Sequence, residues 1–280
     1  MKGRTVIVTG ANRGLGLCIT RGIARLGARI VMACRSVDLG RKAREALAAE
    51  TGNADLEIMA LDLSSRRSVM EFASAFTSSH DRLDVLVNNA GIQIPKKMIS
   101  GDGIELVLAT NVLGSHLLTQ LLLDLLKASR PSRIVNVAST FAGKLDLGDL
   151  QFERRPYNNL DAYKQSKQAN RMLSWELARR LEGSGVTVNA MAPGLMMTDL
   201  YRDNSRPMRL FMRFLNLMIG VSVEQGADTA VWLATSSDPA VEGVSGKFFE
   251  KRREIPCRFA DPAAERALWE KCESLLGRFV

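Results

Sequence analysis

The chain has two histidines, His80 and His116, and four scattered cysteines, Cys18, Cys34, Cys257 and Cys272. None of these cluster at ligand spacing, so a His/Cys metal site is not expected. With no close cysteine pair, a reduced, cytoplasmic thiol set is the simplest reading. No run of about 18 uncharged apolar residues is present, which argues against a spanning helix. The chain runs from Met1-Lys2-Gly3-Arg4 straight into the apolar Val6-Ile7-Val8, so no signal peptide is expected. Internal repeats, low-complexity tracts and linkers are missing, as are zinc-finger and aromatic–basic signatures of nucleic-acid binders. The net charge of +8 therefore points to an anionic cofactor or an anionic membrane surface, and not to nucleic acid.

What is there is a chain of 280 residues, 46% of them hydrophobic, enough for one α/β domain spanning 1–280. Short β-branched apolar runs alternate with helical patterns. Strands are expected at Thr5–Thr9, Arg29–Ala33, Leu56–Ala60, Leu83–Val87, Arg133–Val137, Val186–Met191 and Gly246–Phe249. That alternation specifies a Rossmann-type doubly wound parallel sheet of about seven strands with helices on both faces. Ile104–Lys127 reads as one long helix, apolar nearly all round and so buried on both sides, with one side open to a homodimer contact. Phe141–Pro156 reads as loop. Pro262–Leu276 reads as a closing amphipathic helix.

Candidate site residues gather at the carboxyl ends of these strands, where open α/β sheets bind ligands. Gly10, Asn12, Arg13, Gly14, Leu15 and Gly16 form a Gly-x-x-x-Gly-x-Gly turn between the first strand and a helix. That context suits a pyrophosphate, because glycine lets the backbone approach and the helix N-terminus offers free N–H groups. Arg35, at the end of the second strand, stands where an NAD-selective site commonly has an acid. With Arg13 it favours a 2′-phosphate and hence NADP(H), while Asp38 keeps NAD(H) open. Asn88-Asn89-Ala90-Gly91 suits a crevice lip, and Ser139 is placed to bond a substrate oxygen. Tyr163 and Lys167 are four apart on a helix and share a face. A phenol has a free pKa of about 10, and an ammonium beside it favours the phenolate, so the pair suits proton exchange with a carbonyl or alcohol. In 196–220, Arg206, Arg209 and Arg213 interleave with Met208, Phe211, Met212 and Phe214. A Met-rich lid over an apolar substrate and a basic helix making peripheral membrane contact through 206–219 both fit.

Thr9-Gly10-Ala11-Asn12-Arg13-Gly14-Leu15-Gly16, Asn88-Asn89-Ala90-Gly91, Asn111, Ser139, Tyr163-x-x-x-Lys167 and Pro193-Gly194 occur in an order and spacing that resembles the short-chain dehydrogenase/reductase family. Tyr163 to Asn170, Glu176 to Leu181 and Gly243 to Lys247 look most like its retinol dehydrogenase branch, which often carries an N-terminal membrane anchor; none is expected here. The resemblance implies an oxidoreductase interconverting a lipophilic aldehyde or ketone and its alcohol. In it Tyr163 is the general acid/base, Lys167 lowers its pKa and bonds the nicotinamide ribose, and Ser139 holds the substrate oxygen. Asn111 holds a proton-relay water. Thr9 to Gly16 cover the pyrophosphate and adenosine ribose, Asp62 and Leu63 flank adenine, and Asn89, Ala90 and Gly91 line the cofactor. Pro193, Gly194 and Thr198 hold the nicotinamide end and phosphates. Two other readings stand beside this one. Met32-Ala33-Cys34-Arg35 and the lid region resemble light-dependent protochlorophyllide reductase, although Leu195 and Ser139 stand where that family has Cys and Thr. A catalytically silent NADP-binding interaction module is the other.

Overall fold

Strand β1 (Thr5–Thr9) is buried at every position, and its alternation feeds two separate cores. Ile7 packs with Phe72, Phe76, Leu117 and Leu118 on one face of the sheet, while Val6 and Val8 pack with Ile19, Ile23, Leu47 and Leu233 on the other. A strand covered on both faces needs a near-continuous apolar run, and this one has it. The computed structural model describes residues 1–194, 221–257 and 259–277.

The other strands are β2 (Arg29–Cys34), β3 (Leu56–Ala60), β4 (Val85–Asn88), β5 (Ser132–Val137), β6 (Val186–Ala192), β7 (Phe248–Glu250) and β8 (Arg253–Glu254). Their order is β3-β2-β1-β4-β5-β6-β7-β8. All pairings from β3 to β7 are parallel. The strand order reverses at β1 and β4, so their carboxyl ends part and open a crevice. The eighth strand adds a short edge to the sheet of about seven expected. It is a two-residue antiparallel edge paired to β7, reached through Lys251 and Arg252 at φ 51° and 58°. Two consecutive positive φ values are what a two-residue hairpin needs. Nothing hydrophobic marks Arg253-Glu254 as a strand, since both are exposed.

Helices α1 (Gly14–Ala24), α2 (Val37–Thr51) and α3 (Arg66–Ser79) follow the first three strands. Ser36 and Ser65 cap the second and third by accepting N–H bonds from Leu39 and Ser68. The single helix expected over Ile104–Lys127 is instead broken. It comprises α4 (Leu106–Leu108), a π-turn over Ala109–Leu113, α5 (Gly114–Leu121) and α6 (Leu123–Ala128). The π-turn carries Asn111, whose amide bonds the backbone of Ile92 on both sides. That tertiary anchor favours the wider turn, a feature that recurs at functional sites. Burial on both sides holds for Leu117, Leu118 and Leu122, whereas Leu121, Leu123 and Leu125 are half-buried.

Helix α7 (Asn159–Arg180) is capped by Asn158 Oδ1, which accepts from Leu160 and Asp161 N–H. Helix α8 (Val223–Thr235) starts with a reciprocal Ser222–Gln225 capping box, and α9 (Pro262–Leu276) starts at Asp261 with Pro262 in its first turn. No helix among the described residues is long and apolar enough to cross a membrane. The segment read as lid or membrane-contact helix, 196–220, lies outside the described residues.

Candidate active site

At the carboxyl end of β1 the chain turns through Gly10, at φ +64°, into α1. A Cβ on Gly16 would stand 2.2 Å from the Gly10 carbonyl and 2.5 Å from Asn89 Nδ2, so only glycine lets the helix start this close to the strand. Thr9 ties the turn to β4. Its Oγ1 accepts from Asn89 N–H at 2.9 Å and Ala90 N–H at 3.0 Å, and its carbonyl accepts from Asn89 Nδ2 at 2.8 Å. The buried Cys34 thiol, at the end of β2, donates to the Met32 carbonyl at 3.5 Å, and burial pushes its pKa up to about 11.

The first turn of α1 holds no acidic residue, and its N-cap, Arg13, makes no side-chain cap bond. Free amides, a positive helix end and no competing carboxylate form a cradle that fits a pyrophosphate. Leu15 is half-buried in that first turn, and Asn12 is half-buried before it. Arg35 is exposed at the end of β2, with no ion-pair partner among the described residues. Asp38, the nearby acid, is held by Arg41 at 3.2 Å. Asp62 accepts from Ser64 N–H and Oγ at 2.9 and 2.7 Å, and Leu63 is buried beside it. Pro193 and Gly194 follow β6, and Gly194 sits at φ +82°. Thr198 lies outside the described residues.

The second half of the site converges on α7. Lys167 is buried, and its Nζ donates to the Val137 carbonyl at 2.9 Å. The same Nζ is 5.7 Å from the centroid of the Tyr163 ring. Burial pushes the Lys167 ammonium down to about 8. Asn111 Nδ2 donates to the Ile92 carbonyl at 2.9 Å and to Ser166 Oγ at 3.0 Å, while its Oδ1 accepts from Ile92 N–H at 2.8 Å. Gly91 lies between the two polar groups: a Cβ there would stand 3.4 Å from Asn111 Oδ1 and 3.5 Å from Lys167 Nζ. Ser139 follows β5 and is half-buried. Its Oγ accepts from Phe141 N–H at 3.0 Å, which leaves the hydroxyl proton to be donated elsewhere. The fold thus brings Asn111, Ser139, Tyr163 and Lys167 from three separate stretches of sequence to one end of the sheet.

Apolar groups rim this end. Phe141 is 48% exposed and Phe259 is 45% exposed, and a Cβ on Gly143 would lie 3.7 Å from the Phe259 ring. Sequence reasoning missed Ser166, which bonds Asn111, and Arg171, which donates to the Ser139 carbonyl. The only signal for Arg171 was a charge on the buried face of α7, one turn beyond Lys167.

A family model described as short chain dehydrogenase matches residues 4–209. The chain belongs to the short-chain dehydrogenase/reductase family. Within it, the likeness is to the retinol dehydrogenases. The chain is 41% identical to "Retinol dehydrogenase 14" of Homo sapiens, with 99% of this chain and 87% of that one aligned. Among solved structures it is similar to the Pseudomonas aeruginosa RhlG/NADP active-site complex, with a TM-score of 0.71, 29% identity and 89% and 94% of the two chains covered. It is also similar to 3-ketoacyl-(acyl-carrier-protein) reductase from Brucella melitensis complexed with NADH, with a TM-score of 0.67, 25% identity and 89% and 96% covered. This family membership makes the chain an oxidoreductase of CH–OH and C=O groups that binds a nicotinamide cofactor.

Proposed function

We propose that the chain is an NADP(H)-dependent reductase of a lipophilic aldehyde or ketone, running also in reverse on the alcohol, with Tyr163 as general acid/base. The observation that carries this reading is the Tyr163–Lys167 pair on one face of α7, with Lys167 Nζ 5.7 Å from the Tyr163 ring centroid and bonded to the end of β5, the strand that Ser139 follows. When bound, the nicotinamide supplies or takes the hydride. The protein's part is to hold the reacting oxygen and move one proton. Ser139 donates its hydroxyl proton as a hydrogen bond to the substrate oxygen. Tyr163 gives its phenolic proton to that oxygen as charge develops on it. The Lys167 ammonium stabilises the phenolate left behind and bonds the nicotinamide ribose. Asn111 and Lys167 face the same space at Gly91, which suits a water that returns a proton to the pair.

When the cofactor is bound, Gly10, Asn12, Arg13, Gly14, Leu15 and Gly16 would hold its pyrophosphate and adenosine ribose, Asp62 and Leu63 its adenine, Asn89, Ala90 and Gly91 its middle, and Pro193 and Gly194 its nicotinamide end. Preference for NADP(H) over NAD(H) is supported by the exposed Arg35, which has no ion-pair partner among the described residues, and by the contact of Asp38 with Arg41. Preference for a lipophilic substrate is supported by the rim of Phe141 and Phe259 and by the retinol dehydrogenase relatives.

NADPH consumption by the pure protein across a panel of aliphatic, aromatic and polyene aldehydes and ketones tests the reading. Turnover that rises with substrate hydrophobicity and prefers NADPH is expected. A panel that leaves NADPH unconsumed would favour a silent binding module.

A further inference from the structure

Arg171 is a buried cation in the middle of α7. The residues three and four positions away on its face, Lys167, Gln168, Ser174 and Trp175, are all buried, and Arg171 itself is only 4% exposed. Among the described residues no carboxylate forms an ion pair with it, and its Nε has no hydrogen-bond partner. Burial lowers its pKa, with Glu250 attracting it only at longer range. A charge buried there without an ion-pair partner is destabilising unless other contacts hold it.

The guanidinium instead makes three contacts that no apolar side chain supplies together. Nη2 donates to the carbonyl of Ser139. The guanidinium carbon lies 3.9 Å from the centroid of the Phe248 ring, on β7. Nη1 is 3.7 Å from Cys257 Sγ, in the segment after β8. Helix α7 therefore grips the end of β5 by two carbonyls, Val137 through Lys167 and Ser139 through Arg171. A further rung, from Asn136 Nδ2 to Ser174 Oγ at 2.8 Å, locks the strand below them.

We infer that Arg171 is a positioning residue. It fixes the backbone of Ser139 against α7 and the chain end of the sheet, so that the serine hydroxyl points at the reacting oxygen. This rests on the reading of Ser139 as the donor to that oxygen. The guanidinium does not meet substrate, and its effect passes through Ser139. Arginine suits the role because its planar fork reaches a carbonyl while stacking on a ring, which lysine cannot do at once.

The test is a double-mutant cycle on kcat in the full chain, with Arg171→Met, Ser139→Ala and both together. Ser139→Ala is expected to lower kcat by about 10²-fold, the scale for one donor to a developing oxyanion. Arg171→Met is expected to lower kcat by about tenfold, with the KM for NADPH unchanged and the melting temperature not lowered. The double variant should match Ser139→Ala alone, because the second change removes what the first acts through. Arg171→Lys, which can still reach the carbonyl, should recover part of the rate, and it carries the same cycle if Arg171→Met does not fold. Wild-type kcat in Arg171→Met, or losses that multiply in the double variant, would overturn the inference. A Ser139→Ala variant as fast as wild type would sink the reading of Ser139. If Arg171→Met were slow in that same experiment, action through Ser139 would fall with it.

Discussion

Lys167 Nζ donates to the carbonyl of Val137 at 2.9 Å, from within helix α7 to the last residue of β5. This one bond holds a buried ammonium where water would otherwise be needed, next to the Tyr163 ring. The arrangement is costly to stability, and the cost can be measured.

With an ordinary value of 10.5 and a folded value of about 8, Lys167 binds its proton less tightly in the folded chain than in the unfolded one. Between about pH 8 and 10.5 the unfolded state therefore holds more protons, and the stability of the cofactor-free protein should rise with pH across that window. Below pH 8 the buried charge costs about 3 kcal/mol. Lys167→Met is expected to gain about 1–3 kcal/mol at pH 7, the lost bond to Val137 offsetting part of the gain. The gain should fade towards pH 10.5, while turnover drops by 10² or more. Denaturant melts at pH 7 and pH 10 check the sign. A variant less stable at pH 7 than the wild type contradicts it.

Arg35→Asp should lower the NADPH/NADH ratio of kcat/KM by about 10-fold or more, mostly through KM for NADPH, because the carboxylate repels a 2′-phosphate and can bond ribose hydroxyls. Steady-state kinetics with both cofactors decide it. A ratio left unchanged would remove Arg35 as the reader of the phosphate.

Gly16→Ala should both destabilise the fold by about 1–3 kcal/mol and weaken cofactor binding, since the new methyl meets the Gly10 carbonyl backbone and the Asn89 amide rather than a yielding side chain. Thermal melts with and without NADPH separate the two effects. Wild-type stability in this variant would show that the turn relaxes freely.

Asn111→Leu leaves the Ile92 N–H and carbonyl without their side-chain partner, at a cost of about 2–3 kcal/mol, and lets the π-turn relax towards an ordinary helix. Loss of turnover beyond that expected from unfolding is predicted. Activity in the folded fraction equal to wild type would assign Asn111 to structure alone.

The parts of the molecule that could be read in advance are those where local chemistry decides. Val6-Ile7-Val8 is apolar because both sheet faces are covered, and Gly16 marks a backbone approach that no other residue allows. Tyr163 and Lys167 share a face because Asn158 starts a helix that runs unbroken through both. The features that escaped are set by distant parts of the chain. Ile104–Lys127 has the composition of one helix, yet Asn111 breaks its regularity by bonding Ile92, nineteen residues away. Arg253-Glu254 pairs with β7 although neither residue has strand character, because the turn at Lys251 and Arg252 delivers it there. Arg171 has no local signal of its role, because the groups it meets, the Ser139 carbonyl, Phe248 and Cys257, come from distant parts of the chain.

On the proposed function, the Tyr163 hydroxyl carries the proton. Replacing Tyr163 with Phe removes that oxygen and little else, since the ring stays buried in α7. Turnover with NADPH and a responsive carbonyl should fall to near the background, while the NADPH dissociation constant stays within about twofold of wild type. Turnover close to wild type in Tyr163→Phe would contradict the account.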